Sequence, residues 1–220
     1  MDKLKKKGAK IKWYEFAHYF CYLAYLSICY LNISERDKEK LSKDYGLNKV
    51  IGNKNFHLYP HNEDLIIPII YNSRHAIELF WKGLIRFKGK ITEEEIRLKN
   101  GDTKKENEIF YSHNLEYIYL VMINRYKKKI EENKEFEKSL KKLEKISKKF
   151  ERMLGKIDKQ NMMFKYPENK KGGKSLFQRD LRKISTNKNL EDFKQNLEKT
   201  FCLFNKIGSQ LYANTKRKNN

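Results

Sequence analysis

Apolar residues recur at steps of three and four along most of this chain, which is the periodicity of an amphipathic helix. The clearest stripe runs through residues 134–157 and consists of Phe136, Leu140, Leu143, Ile146, Phe150, Met153, Leu154 and Ile157. Lysine fills the opposite side of this segment, so one face suits a core and the other suits solvent. The same spacing occurs in 112–130 and 188–213, and all three segments are predicted as helices.

Two further segments, 13–31 and 65–87, are apolar over most of their length and are also predicted as helices. Pro68 stands in the first turn of the second segment, where a proline is tolerated, and Gly89 follows its end. Five helices of this kind predict an all-α chain that folds as a single domain over residues 1–220.

The connections between these segments are polar. Residues 32–62 and 88–111 contain turn signals and are predicted as irregular links. Residues 158–187 are long for a connection without structure, so this basic loop is expected to be either an ordered functional loop or a flexible one. Sequence that is compatible with strands is short and is confined to 161–178.

The first predicted helix has one alternative interpretation, because a basic stretch before an apolar run is typical of a signal anchor. Glu15 and His18 interrupt the start of the run and leave about 16 residues, whereas a membrane span needs about 20. Five tyrosines add hydroxyl groups that are costly in hydrocarbon. A buried helix is therefore favoured, and we expect no membrane partner and a cytoplasmic location.

Positive charge is concentrated in three parts of the chain. The 220 residues contain 49 Lys and Arg against 28 Asp and Glu, a formal net charge of +21. The basic arm 1–12 carries +5, residues 127–183 carry +11 and the basic tail 214–220 carries +3. Such a distribution is typical of proteins that bind RNA or another nucleic acid. The alternative is compositional, since Lys, Asn and Ile are all abundant, as AT-rich coding produces.

Common catalytic and metal-binding motifs are absent from the sequence. The run Gly172-Gly173-Lys174-Ser175 lacks the upstream glycine of a phosphate-binding loop. Cys21, Cys29 and Cys202 lie in apolar helical segments and are predicted to be free core thiols in a reducing compartment. The sequence therefore predicts no metal and no cofactor.

The most informative residues form a polar stripe within the apolar segment 65–87. Arg74, Glu78 and Lys82 are spaced i, i+4 and i+8, which places them on one side of a helix. His75 is adjacent, and His113 opens a later helix. Charges in a buried helix need partners, so the stripe is either an internal ion-pair network that orients two helices or a polar site for a phosphate or nucleobase.

Three short runs carry a resemblance to a known family. The run RHAIEL at 74–79 followed by Lys82 resembles the central helix signature of HEPN-type helical domains. The run His113-Asn114-Leu115 is similar to the start of a second HEPN helix. The run FKYPENKKG at 164–172, with Asp158 upstream, is similar to a loop of bacterial proteins that carry such domains.

The resemblance implies an antiparallel up-and-down bundle that dimerises through its central helices. Many HEPN proteins are metal-independent ribonucleases of toxin–antitoxin, CRISPR and phage-defence systems. Active members usually place an Arg and a His four to six residues apart on one helix, where the pair polarises the phosphate and assists attack by the 2′-hydroxyl. Here Arg74 and His75 are adjacent, and none of the five histidines has an arginine at that spacing before it.

Two functions follow as hypotheses. The first is an HEPN-like RNA-interacting homodimer of a bacterial or phage defence or toxin context. One form of this hypothesis is an atypical ribonuclease whose catalytic residues are Arg74, His75, Glu78 and His113. The predicted RNA contacts are Lys82, Asn114, Lys165, Tyr166, Lys170, Lys171, Lys174, Arg179 and Arg182. The alternative is a non-catalytic protein-binding module, such as an anti-defence inhibitor or an accessory subunit of a nucleoprotein complex.

Overall fold

The computed structural model describes residues 2–31, 34, 36–37, 40, 48–51, 54–57, 62–92, 106–157 and 187–216. The described elements are, in chain order, α1 (Asp2–Leu31), β1 (Asn48–Ile51), β2 (Lys54–His57), α2 (Asn62–Phe87), α3 (Glu106–Tyr111), α4 (Leu115–Arg125), α5 (Lys127–Glu132), α6 (Lys134–Ile157) and α7 (Asn187–Lys216). Apart from the hairpin of β1 and β2, these elements are helices, so the all-α prediction is confirmed.

Several predicted boundaries are wrong. The first helix, predicted over 13–31, begins earlier, at Asp2, so the basic arm is helical from that residue onward. The predicted irregular link 32–62 contains the antiparallel hairpin, in which Asn48 pairs with His57. Because α2 begins at Asn62, Pro68 lies inside this helix and beyond its first turn.

The helix predicted over 112–130 is interrupted at Tyr126. α4 ends at Arg125 and α5 starts at Lys127. The hydroxyl of Tyr126 donates a hydrogen bond of 2.9 Å to the carbonyl oxygen of Leu84, so a tertiary contact anchors the residue at the break. The adjacent guanidinium of Arg125 is buried and donates to the carbonyl oxygens of Gly89 and Lys90, just after α2. The break thereby fastens α4 to the end of α2.

α1 packs along α2 through small residues. The buried face of α1 consists of Ala17, Cys21, Ala24 and Ile28. On the facing helix, a Cβ atom added to Gly83 would lie 3.2 Å from the Cβ of Trp13, so a larger residue would push α1 outward by a few tenths of an ångström. Small side chains at the contact allow the two helix axes to come near each other.

Aromatic side chains join the helices around the core. Phe80 of α2 stacks on Phe204 of α7, with ring centroids 4.0 Å apart. Phe150 of α6 stacks on Phe193 of α7 at 5.5 Å. α7 contacts both α1 and α6, and α2 likewise contacts both α1 and α6. This arrangement buries most of the predicted apolar positions that the structure describes, with Phe201 of α7 as an exposed exception, and brings α2 and α4 together at the polar site.

The three cysteines are free thiols, as predicted. Burial raises the pKa of the Cys21 thiol to about 12, so this side chain is inert in the core. Cys202, however, is exposed, and its prediction as a core residue is wrong. No helix among the described residues is long and apolar enough to cross a membrane.

Candidate functional site

The centre of the polar stripe is the carboxylate of Glu78, which is only 1% exposed. Lys82 lies one turn further along α2, and its Nζ atom is 2.7 Å from Oε1 of Glu78. Arg74 lies one turn before, and its Nη1 atom is 3.1 Å from Oε2. The i, i+4 and i+8 spacing therefore produces the contacts that it predicts, with one buried carboxylate between two cations.

His113 reaches the same carboxylate from the segment before α4. Its Nδ1 atom lies 3.1 Å from Oε1 and 3.3 Å from Oε2 of Glu78. The Nη2 atom of Arg74 also donates to the backbone carbonyl oxygen of His113. The imidazole and the backbone carbonyl group of His113 are thus both bound by side chains of α2. The polar stripe therefore joins α2 to the segment before α4, as the ion-pair interpretation of the sequence predicts.

The hydrogen bond fixes the protonation pattern of His113. A carboxylate only accepts hydrogen bonds, so Nδ1 of His113 is the donor, and Nε2 is the ring atom that has the lone pair whenever the ring is neutral. The side chain of His113 is 72% exposed, although its partner is buried. The geometry therefore presents an oriented imidazole at the protein surface. This arrangement of a buried carboxylate and an outward histidine is the one that general-base catalysis uses.

His75 is held mainly by aromatic neighbours. Its ring packs edge-on against Phe20 at 4.6 Å and stacks near Tyr71 at 5.8 Å. Its Nδ1 atom lies 3.9 Å from Oε2 of Glu78, which is too long for a good hydrogen bond. Of the two predicted catalytic histidines, His113 is the exposed and oriented one.

Electrostatics keep Glu78 ionised despite its burial. Desolvation raises the pKa of the carboxyl group, but the hydrogen bond and positive charge of Lys82, together with the nearby imidazoles of His75 and His113, outweigh it and lower the pKa to about 2. A buried carboxylate of this kind is compensated by its own network, and removal of the carboxylate leaves Arg74 and Lys82 without their common partner.

A cleft of about 330 Å³ lies between α4 and α6, next to this cluster. Trp81, Leu115 and Tyr119 line it together with the acidic residues Glu116, Glu144 and Glu151 and with Ser147, Lys148 and Arg152. Burial raises the pKa of Glu151, and the nearby positive charge of Arg74 opposes that effect. Glu144 is already paired, since its Oε1 atom lies 2.6 Å from Nζ of Lys148.

The predicted RNA contacts have different outcomes. Lys82 is buried and paired with Glu78, so its ammonium group does not lie on the surface. Asn114 is exposed and caps α4, because its Oδ1 atom accepts a hydrogen bond of 3.0 Å from the backbone N–H of Tyr117. Residues outside the described part of the chain are Lys165, Tyr166, Lys170, Lys171, Lys174, Arg179 and Arg182. The predicted loop 158–187 also lies outside it, apart from Asn187, the first residue of α7.

A basic surface on α6 was missing from the predicted contacts. A shallow groove of about 470 Å³ is lined by Lys134, Glu137, Lys138, Lys141, Lys142 and Lys145. We call these five lysines the lysine face of α6. The carboxylate of Glu137 lies 2.7 Å from Nζ of Lys141 and 3.4 Å from Nζ of Lys134. The lining of the groove contains five lysines and one carboxylate, so its net charge is positive, and the nearby carboxylate of Glu135 is paired with Lys206. Helical spacing of the lysines was the signal for it in the sequence.

The described residues contain no group of three or more His, Cys, Asp or Glu side chains that could hold a metal ion. Comparisons of the chain with protein-family models, with curated proteins and with solved structures find no match. The resemblance to HEPN domains therefore rests on the three sequence runs alone.

Proposed function

We propose that this chain is an HEPN-like RNA-interacting protein of a bacterial or phage defence or toxin context. The observation that carries the proposal is the lysine face of α6, where five exposed lysines share one shallow groove with a single carboxylate. Closely spaced ammonium groups on a rigid helix match the repeating charge of a phosphate backbone. Their release of counterions from the nucleic acid supplies affinity without sequence selectivity.

The helix directions support an HEPN-like bundle. Trp13 of α1 lies beside Gly83 of α2, whereas Phe20, later in α1, contacts His75, earlier in α2. The two helices therefore run in opposite directions. In the same way, Lys149 of α6 faces Asp192 of α7, and the earlier Glu135 faces the later Lys206. These pairs support the up-and-down antiparallel arrangement that we propose.

A direct test compares two charge-reversal variants in an RNA-binding assay. The first variant carries Lys138→Glu and Lys142→Glu on the lysine face, and the matched control carries Lys127→Glu and Lys128→Glu, which are exposed on α5. Both change the net charge by the same amount. Fluorescence anisotropy with a labelled single-stranded RNA is expected to show at least a tenfold larger loss of affinity in the first variant. Equal losses would show that net charge alone, and not this face, governs binding.

The hydrogen bond between Glu78 and His113 favours a ribonuclease as the second candidate. Nε2 of His113 would take the proton of a ribose 2′-hydroxyl, and that oxygen would attack the adjacent phosphorus. The phosphorus–oxygen bond to the 5′-oxygen would break, water would protonate this oxygen, and a 2′,3′-cyclic phosphate would remain. Arg74 would act as a positioning residue, because its Nη1 and Nη2 atoms already donate to Glu78 and to the carbonyl oxygen of His113.

A further inference from the structure

The outward side of α1 exposes large apolar side chains. Phe16, Tyr19, Tyr22, Leu23 and Leu26 are between 44% and 62% exposed. Their positions are opposite the buried face formed by Ala17, Cys21, Ala24 and Ile28, which packs in the core. An apolar helix therefore has one face in the core and a second apolar face in solvent. Contiguous exposed patches of this kind mark interaction surfaces more often than single exposed side chains do.

The exposed residues follow the spacing of a helix–helix seam. Phe16, Tyr19, Leu23 and Leu26 stand at intervals of three, four and three residues. Those are the a and d positions of two consecutive heptads, and such a stripe is completed by another helix. We call these four residues the α1 seam. Two more aromatic residues adjoin α1 and are 41% exposed: Tyr71 of α2 stacks beside His75, which packs on Phe20, and Phe201 of α7 packs on His18. They widen the apolar surface.

The available area is close to what a dimer needs. Five aromatic residues and two leucines contribute to the surface, and each aromatic side chain can bury about 150–250 Å². At roughly half exposure, the seven side chains offer on the order of 600 Å². A stable interface of standard size buries about 800 Å² on each partner, so the polar surroundings of the patch need to supply only the remainder.

The exposed area fits a second copy of this chain, and the charge distribution at this face does not oppose one. Two molecules of charge +21 repel each other through most of their surfaces. Residues 13–31 contain one charged side chain, Glu15, and one histidine, His18, so this face adds almost no repulsion. α1 and the basic helix α6 each pack against α2 and α7. Contact through the α1 seam leaves the lysine face of both copies free for a polyanion.

We infer that the chain forms a homodimer in which the α1 seam of one protomer packs against the α1 seam of its partner. Such an interface is isologous, since the same patch serves both copies. It differs from the central-helix interface that the HEPN resemblance implies, because α2 is covered by α1, α4 and α6. The inference does not depend on RNA binding.

The test measures the mass of the full-length protein by light scattering coupled to size exclusion, at tens of micromolar. Nuclease treatment and about 0.5 M salt remove dimers that RNA would bridge. The variants are Tyr19→Glu and Leu23→Glu in the seam, and the control is Tyr111→Glu, which changes an 82% exposed aromatic residue on α3. Circular dichroism confirms that each variant keeps its helical content.

The wild type and the Tyr111→Glu control are expected at about twice the 26.6 kDa of one chain, and both seam variants at the mass of a monomer. A monomeric wild type, or seam variants that stay dimeric, would overturn the inference. A monomeric wild type that co-sediments with anionic vesicles through the same residues would also overturn it, because the α1 seam would then be a lipid-binding surface.

Discussion

Nδ1 of His113 lies 3.1 Å from Oε1 of Glu78, so a carboxylate buried in α2 determines which nitrogen of an exposed imidazole carries the proton. The same residue pair ties the segment before α4 to α2. One contact therefore has two consequences, one for the stability of the fold and one for the chemistry at the surface. Substitutions can separate the two, because stability depends on Glu78 and its cations, whereas general-base chemistry depends on Nε2 of His113.

Replacement of the buried carboxylate is expected to destabilise the protein strongly. In Glu78→Gln, the charges of Arg74 and Lys82 lose their common anion in a site that is almost inaccessible to water. Breaking a buried pair in this way costs about 3 kcal/mol or more of unfolding free energy. Urea denaturation followed by circular dichroism measures it. Glu137→Gln, which breaks partly exposed pairs with Lys134 and Lys141, is the control and should cost less than about 1 kcal/mol.

The stabilisation by Glu78 should depend on pH in a defined direction. The pKa of Glu78 is lowered from its ordinary value of 4.5 to about 2 in the folded protein, so the unfolded chain takes up the proton first. Its contribution is therefore complete above about pH 4.5 and is lost as the pH falls towards 2, by an amount of about 3 kcal/mol. Unfolding at pH 7, 4 and 3 should show wild type and Glu78→Gln converging in acid. A difference that stays constant over this range would contradict the assignment.

Truncation in the aromatic contact between α6 and α7 should be equally severe. Phe150 is buried and stacks on Phe193 at 5.5 Å. Phe150→Ala should lower the free energy of unfolding by roughly 3–5 kcal/mol, since it removes a ring and leaves a cavity. Tyr111→Ala, at an 82% exposed position on α3, is the comparison and should cost clearly less. A loss in Phe150→Ala as small as that in Tyr111→Ala would mean that the α6–α7 contact is not part of the core.

The ribonuclease candidate makes a prediction about individual histidines. If His113 is the general base, His113→Ala should reduce cleavage of single-stranded RNA by about 10²-fold or more without weakening RNA binding. Arg74→Ala should also reduce cleavage, through loss of positioning. His75→Ala should have the smallest effect, because His75 packs against Phe20 and Tyr71. Cleavage at the wild-type level in both His113→Ala and Arg74→Ala would exclude this site as the catalytic one.

Much of the fold could be predicted because it follows from local periodicity. Most of the apolar positions of α6 and α7 that the structure describes are buried where the spacing places them, as for Phe136, Leu140 and Leu143, whereas Phe201 is 41% exposed. The ion pairs of Glu78 with Arg74 and Lys82 follow in the same way from positions one turn apart on one helix. These features depend on residues that are close together in the sequence, so the sequence alone is enough to predict them.

The features that escaped prediction depend on contacts between distant segments. The break between α4 and α5 coincides with the hydrogen bond from Tyr126 to Leu84, which no local pattern encodes. The cleft next to the Glu78 cluster arises only when α4 and α6 meet over Trp81. The exposure of the α1 seam was also unpredictable, because an apolar helix shows no polar face from which its solvent side can be read.

The proposed RNA interaction is tested most directly by a salt titration of binding. The logarithm of the association constant for single-stranded RNA should fall linearly with the logarithm of the salt concentration, with a slope of about −0.7 for each phosphate neutralised. If all five lysines of the α6 face contact phosphates, they contribute about −3.5, and Lys138→Glu with Lys142→Glu should make the slope shallower by at least about 1.4 units. An unchanged slope in this variant, or no measurable RNA binding by the wild type at low salt, would contradict the account.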